Sequence, residues 1–434
     1  MYYGILGYLM VFAMIFFLFR NKFLPSIIFV IVPFVAALCA GYNPAEIMTF
    51  ASAGVKTTSA NGVLFCFSVC YFSLMSELKV FDPLIDRLVK VSGNSAVAIC
   101  ICTSIVAMLA HLDGATATTF LVTIPAFLPI YKRMGMSEYT LLTITGASYI
   151  MLNMVPWGGV TARMANVLEM DVNALWQALI PLQVAGIVLA LIFSAIMGVR
   201  EKRRIVKAMN GEAGAETGGA GPEPIVLGKI GGKTWMNIAL TLVLLVSLFV
   251  FKLPSTPVFM IGLALALGLN YRGVKEQEKM LNKVAPAALL IASTMFAAGV
   301  FVGVLNETPM LEEMTRLLLS LIPRFMGHYL MFIMMPLSSI IHLCFDADSF
   351  YYGLVPLIAS VGAEFGIPEM EMSIAMMIGQ QGTNICTPML PTVFLAVGLA
   401  KAELGTHVKK SWFPLFILAC CMFATAFALG ILHF

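Results

Sequence analysis

Apolar stretches of roughly 17 to 20 residues recur along the whole chain between short polar clusters, about the length a helix rising 1.5 Å per residue needs to cross a hydrocarbon core. They predict ten membrane spans near 2–19, 24–41, 60–78, 139–168, 176–198, 235–251, 256–271, 286–305, 371–400 and 412–432. Two further apolar pairs, 95–112 with 117–130 and 327–343 with 350–362, are each interrupted by polar residues, and their arms look short for a full crossing. They read as re-entrant hairpins, the alternative being two ordinary spans joined by a tight turn. Two spans carry breaks, NMVPWGG at 153–159 and NICTPMLP at 384–391.

Composition places the pattern in a bilayer. Of 434 residues 60% are hydrophobic and 11% charged, with mean hydropathy +0.93, far outside the range of soluble domains. The first stretch has no basic residue before it and no small-residue cleavage site after it, so it reads as a retained span. The nine cysteines lie mostly in apolar segments, at spacings that fit neither a metal site nor a disulfide framework, and read as packed thiols. The net charge of +3 is small and points to no nucleic-acid partner.

Charge also orients the chain. With both termini outside and each hairpin returning to the side it entered, 21 of the 26 basic residues fall on the cytoplasmic side, as the positive-inside rule expects. The polar Gly/Ala-rich stretch 201–232 reads as a flexible cytoplasmic linker between a first half, 1–200, and a second half, 233–434. Gly135, Glu138 and Asn153 have the spacing of Gly366, Glu369 and Asn384, and HLDGATATT at 111–119 matches HLCFDADS at 342–349. Five spans separate corresponding points, so the second copy enters the membrane from the opposite side. The expected fold is therefore an all-α polytopic membrane protein, an inverted repeat of two five-span halves, each with a hairpin near 95–130 or 327–362 and a broken helix. DPLIDRLVKV at 82–91 and PMLEEMTRLLLSL at 309–321 read as amphipathic interfacial helices.

An ionised side chain at membrane depth costs at least a few kcal/mol on insertion scales, so Asp113, Arg163, Asp346 and Asp348 need partners or water. Unwound backbone is tolerated there only inside protein or beside a water-filled cavity. The breaks and hairpin turns are expected to bring helix ends to one wet site, where N-termini suit an anion and carbonyls and hydroxyls a cation. Arg163 has a plainer reading as a residue snorkelling to the outer interface, and Asn153 and Asn384 one as interhelical hydrogen-bonding glue. His111 and His342 read as packing residues rather than proton carriers.

At LDGATATTFLVTIPAFLPIYKRMGM, MVPWGGVTARMANVL, FDADSFYYGLVPLIA and GTNICTPMLPTVFLAVGLA the chain resembles the citrate-metal:proton symporter family, CitMHS, of the ion transporter superfamily. The resemblance covers nearly the whole length. It implies uptake of citrate complexed with a divalent cation and driven by protons, no enzymatic activity, and a homodimer working as an elevator. By position it implies a substrate site of Asn153, Pro156, Gly158, Gly159, Thr161, Arg163, Gln381, Thr383, Asn384 and Thr387. Proton or cation coupling would fall to Asp113, Thr116, Thr118, Asp346, Asp348 and Ser349, with Asp113, Asp346 and Asp348 as candidate metal contacts. The chain departs from the family pattern where Ala115 or Ala117 stands for a second acid, and where Cys344 and Phe345 stand for Gly-Thr.

Trivalent citrate is costly to desolvate, whereas its complex with Mg2+ carries one net negative charge that Arg163 and helix ends can balance. Mg2+ keeps oxygen ligands and some waters, so it travels as co-substrate without a His/Cys cage or a permanently bound cofactor. The serious alternative is a sodium-coupled di- or tricarboxylate carrier, because Ser/Thr/Asn-rich turns also suit Na+. Remoter ones are a channel and an intramembrane aspartyl protease.

Overall fold

The computed structural model describes residues 2–433 apart from 21, 81, 82, 84–86, 89–92, 94, 212–230, 250, 252, 321, 322, 344 and 346. The described residues form helices and turns, with no strand among them. The first helices are α1 (Tyr2–Arg20), α2 (Pro25–Cys39) and α3 (Pro44–Glu77). α3 starts sixteen residues before the apolar run that predicted it. Asn43 caps it by accepting from the Ala45 and Glu46 amides, both at 3.0 Å, while Glu46 reaches back to the Asn43 amide at 2.9 Å. This capping box with proline at the first position starts a helix whatever its hydropathy.

Next come α4 (Ala96–Ala110), a tight turn at His111–Asp113, and α5 (Thr116–Arg133). Gly114 has φ +72°, a left-handed conformation that reverses the chain between them. α6 (Glu138–Leu152) and α7 (Gly159–Val167) are the two pieces of the first broken span, and α8 runs Val172–Gly211. The second half of the chain gives α9 (Gly232–Phe249), α10 (Ser255–Asn270), α11 (Val274–Glu307) and α12 (Met310–Leu319). α13 (Leu330–Ile341) is followed by a π-helical turn at Ser349–Leu354 that leads into α14 (Val355–Glu364). α15 (Glu369–Gly382) and α16 (Pro391–Ala400) flank the second break, and α17 spans Leu404–Ala428.

Among the described residues, five helical segments are long and apolar enough to cross a membrane: Pro44–Glu77, Ala96–Asp113, Val172–Lys207, Ala288–Glu307 and Leu404–Ala428. Tyr2–Leu18, Pro25–Cys39, Gly232–Leu248 and Ser255–Asn270 are shorter apolar helices. Ala96–Asp113 is 18 residues long when the turn at His111 is counted with α4, although its sequence reads as an arm short for a full crossing. The expected linker is corrected at its start. Residues 201–211 continue α8, since the buried Glu201 carboxylate accepts the Thr140 hydroxyl at 2.6 Å and the Ser137 amide at 3.2 Å, tying that end to α6. Cys39 and Cys421 are exposed rather than packed, whereas Cys70, Cys100, Cys102 and Cys386 are buried; Cys344 lies outside the described residues.

α12 is the amphipathic helix its sequence predicts. Met310 and Met314 are buried, Glu312 and Arg316 pair on the outer face at 2.5 Å, and Gly4 and Gly7 let α1 lie close against it. Most of the other expected interfacial helix, 82–91, lies outside the described residues.

Packing groups most of the helices into two sets, bridged by α7, which packs on α3, α8 and α11, and by α12, which packs on α1 and α14. α2, α3, α10 and α11 pack on one another, with α1 against α2 and α9 against α10. α4, α5, α6, α8 and α13 to α17 form the other set. Within the first, α3 and α11 touch backbone to backbone: a Cβ on Gly54 would lie 1.9 Å from the Gly299 carbonyl oxygen, and one on Gly303 2.2 Å from that of Phe50. Small residues four apart permit this approach between membrane helices.

Candidate functional site

The first break opens where α6 ends at Asn153. Gly158 sits at the N-terminus of α7, and a Cβ there would fall 2.0 Å from the Asn153 carbonyl oxygen, so only glycine allows the chain to fold back this tightly. Pro156, between them, is buried. Trp157 locks the break in place. Its indole donates to the Leu112 carbonyl at 2.8 Å, joining the break to the turn between α4 and α5, and its ring stacks on Phe72 and meets Phe259 edge-on.

One turn into α7, the Arg163 side chain is drawn toward Asp348 and back onto its own helix. Its Nε donates to Asp348 Oδ1 at 2.6 Å and its Nη1 to the Gly159 carbonyl at 2.8 Å. The Arg163 and Asp348 side chains are 19% and 12% exposed. This is a charge pair withdrawn from bulk water yet reachable, connecting the first break to the segment that leads into α14. Asp346 lies outside the described residues, and Ser349 is buried at the start of the π-helical turn. Thr161 is buried, with no hydrogen-bond partner for its hydroxyl among the described residues.

A second group forms a buried chain of hydrogen bonds across both halves. Asn153 Nδ2 donates to Gln381 Oε1 at 3.1 Å, and Gln381 Nε2 to Gln380 Oε1 at 2.6 Å, which also accepts the Tyr351 hydroxyl at 3.0 Å. Asn384 Nδ2 donates to the Tyr149 hydroxyl at 3.0 Å. His342 Nε2 lies 2.8 Å from Asn384 Oδ1, and Gln380 Nε2 lies 3.0 Å from the same ring nitrogen and 3.3 Å from Nδ1. His111 packs its ring 4.9 Å from that of Tyr149, with Nδ1 2.8 Å from the Thr119 hydroxyl. His342 is thus bonded through its ring, whereas His111 Nε2 is buried with no hydrogen-bond partner among the described residues.

Removing one member strands the others. His342→Ala is expected to cost about 2–5 kcal/mol, since two buried amides lose a partner and a cavity opens; a thermal-unfolding midpoint unchanged from wild type would contradict that.

The remaining predicted residues are held locally. Asp113 is buried and accepts the Ala115 amide at 2.8 Å, with Thr118 beside its carboxylate and Thr116 half-buried at the start of α5. Thr383 donates to the Ser339 carbonyl at 3.2 Å, and Thr387 accepts the Met389 amide at 3.1 Å beyond the second break. The described residues contain no cluster of three His, Cys, Asp or Glu side chains suited to a resident metal. Tyr149, Gln380 and Tyr351 are the site residues that motif reading passed over. Tyr149 and Gln380 each lie four residues before a break asparagine, on the same helix face, and that spacing was available in the sequence.

Broken spans, buried polar chains and apolar outer faces define a multi-pass membrane transporter rather than an enzyme, and solved transporters share the fold. The YdaH transporter of Alcanivorax borkumensis superposes with TM-score 0.58 at 16% identity, covering 89% of this chain and 87% of that one. MtrF of Neisseria gonorrhoeae does so with TM-score 0.61 at 16% identity, covering 93% and 95%. Residues 11–379 match the model of the CitMHS family, described as citrate transporter, and the chain belongs to that family. It is 33% identical over 406 residues to a citrate transporter of Bacillus subtilis (strain 168), covering 94% of each chain. It is 30% identical over 407 residues to the Mg(2+)/citrate complex secondary transporter of the same organism, covering 94% of this chain and 93% of that one.

Proposed function

We propose that the protein carries citrate across the cell membrane as its complex with Mg2+ or another divalent cation, by proton symport, with Arg163 holding a substrate carboxylate. The observation that carries this reading is the Arg163–Asp348 pair. A carboxylate already occupies the guanidinium, where the first break meets the π-helical turn that leads into α14, and a substrate carboxylate has the same chemistry. Gly158 and Gly159 place amide and carbonyl groups beside it, and Asp113, Asp346 and Asp348 are the groups assigned to the proton or the cation.

The inverted repeat is part of the proposal, with halves 1–200 and 233–434. It is supported by Gly135 and Gly366, which both have positive φ, at +65° and +83°, three residues before helices that begin at Glu138 and Glu369. Asn153 and Asn384 also each donate from Nδ2 to the helix that precedes the opposite break, at Gln381 and Tyr149. The two packing sets support an elevator, in which α4, α5, α6, α8 and α13 to α17, with two re-entrant hairpins, move against the first set. A homodimer and termini facing outside complete the reading; native mass spectrometry and protease accessibility test them.

Labelled citrate uptake into proteoliposomes tests the whole. An inward proton gradient with Mg2+ present is expected to drive accumulation without Na+; uptake that follows a sodium gradient and ignores the proton gradient replaces this reading with the sodium-coupled one. Asp113→Ala is expected to abolish proton-driven accumulation in the same assay, and full accumulation by that variant refutes the role given to Asp113.

A further inference from the structure

A cavity of about 600 Å³ lies well away from the Arg163 site, walled by the start of α6, the end of α8 and the start of α17. Its lining carries four cations, Arg200, Arg204, Lys409 and Lys410, against one carboxylate, Glu201. That carboxylate is already engaged: it is 5% exposed and accepts from Thr140, the Ser137 amide and Arg204, the last at 2.8 Å. Lys410 is steadied with its Nζ 4.2 Å above the Tyr139 ring, and Arg204 donates to the Gly135 carbonyl at 2.6 Å. Three positive charges therefore share the cavity without a counter-charge in its wall, and their mutual repulsion is relieved by an anion of matching size.

The surroundings identify the kind of anion. Val188, Ile192, Ile196 and Val199 form an exposed apolar stripe on α8 that ends at Arg200, and Phe413 and Ile417 form another on α17 that begins beside Lys410. The two helices pack together, and each stripe ends at a residue that lines the basic cavity, Arg200 on one and Phe413 on the other. A free polar anion has no use for such apolar surface. We infer that the cavity is a binding site for the phosphate-bearing headgroup of an anionic phospholipid whose chains lie along α8 and α17. Basic residues at this level attract anionic headgroups by roughly 1 kcal/mol each, about a fivefold change in affinity.

The test uses the full chain purified in a neutral detergent and titrated separately with phosphatidylglycerol, phosphatidylcholine and inorganic phosphate, following binding by native mass spectrometry and the thermal midpoint. Phosphatidylglycerol is expected to bind and raise the midpoint, and the other two are not. The R200Q/K409Q/K410Q variant, whose replaced side chains are exposed, is expected to keep its lipid-free midpoint and bind phosphatidylglycerol at least tenfold more weakly. If that variant does not fold, Lys410→Met alone is expected to weaken binding about fivefold. Equal binding of both lipids, or unchanged binding by the folded variants, overturns the inference. Full stabilisation by inorganic phosphate makes the ligand a soluble anion and overturns the lipid assignment. None of these readouts involves citrate, so the result stands apart from the transport reading.

Discussion

Arg163→Ala is expected to reduce citrate uptake by at least about 100-fold, the loss that follows from removing a buried charge contact worth roughly 3 kcal/mol. Two effects are combined in that number. The substrate loses its cationic partner, and Asp348 is left inside the protein with its Nε contact gone. The double variant R163A/D348N separates them, because it removes both charges. Its thermal midpoint is expected to recover toward wild type while uptake stays abolished. Recovery of uptake along with stability makes Arg163 a structural residue and removes it from the binding site. Arg163→Lys keeps the charge but cannot reach Asp348 and the Gly159 carbonyl together, so it is expected to retain fold and lose most uptake.

The two adjacent glycines are expected to behave oppositely. Gly158→Ala drives a methyl group to 2.0 Å from a backbone oxygen that cannot move without unfolding the break, and the expected result is failure to fold or a stability loss of about 3 kcal/mol or more. In Gly159→Ala the methyl meets the end of the Arg163 side chain at 2.7 Å, and a flexible side chain can give way. That variant is expected to fold with a near-normal midpoint and a citrate uptake reduced about tenfold or more, because the displaced atom belongs to the binding group. Matching losses of stability in the two variants contradict this division.

What the sequence disclosed and what it hid follow one physical rule. Hydropathy reports transfer into lipid, so it located the apolar segments and the places where a buried chain stops being apolar, including both breaks. Helix ends answer to backbone capping instead. α3 therefore begins at Pro44, where the capping box in NPAE was readable, and α8 runs on to Gly211 through a charged segment tied down by Glu201. Motif reading selected Arg163 and Asp348 separately, but nothing linear joins residues 185 apart, and their pairing is visible only once the fold brings them together. Likewise, the π-helical turn at Ser349–Leu354 has no period of its own that six residues could express.

The crossing of α3 and α11 has a mechanical consequence. Where Gly54, Gly299 and Gly303 meet, the main chains touch with no side chain between them to act as a bearing, and sliding by one residue would drive a Cβ-bearing neighbour into a carbonyl. Such a joint neither shears nor rolls. Any rearrangement of the molecule must be taken up elsewhere than at this crossing, so the pair of glycine-facing helices moves as one piece.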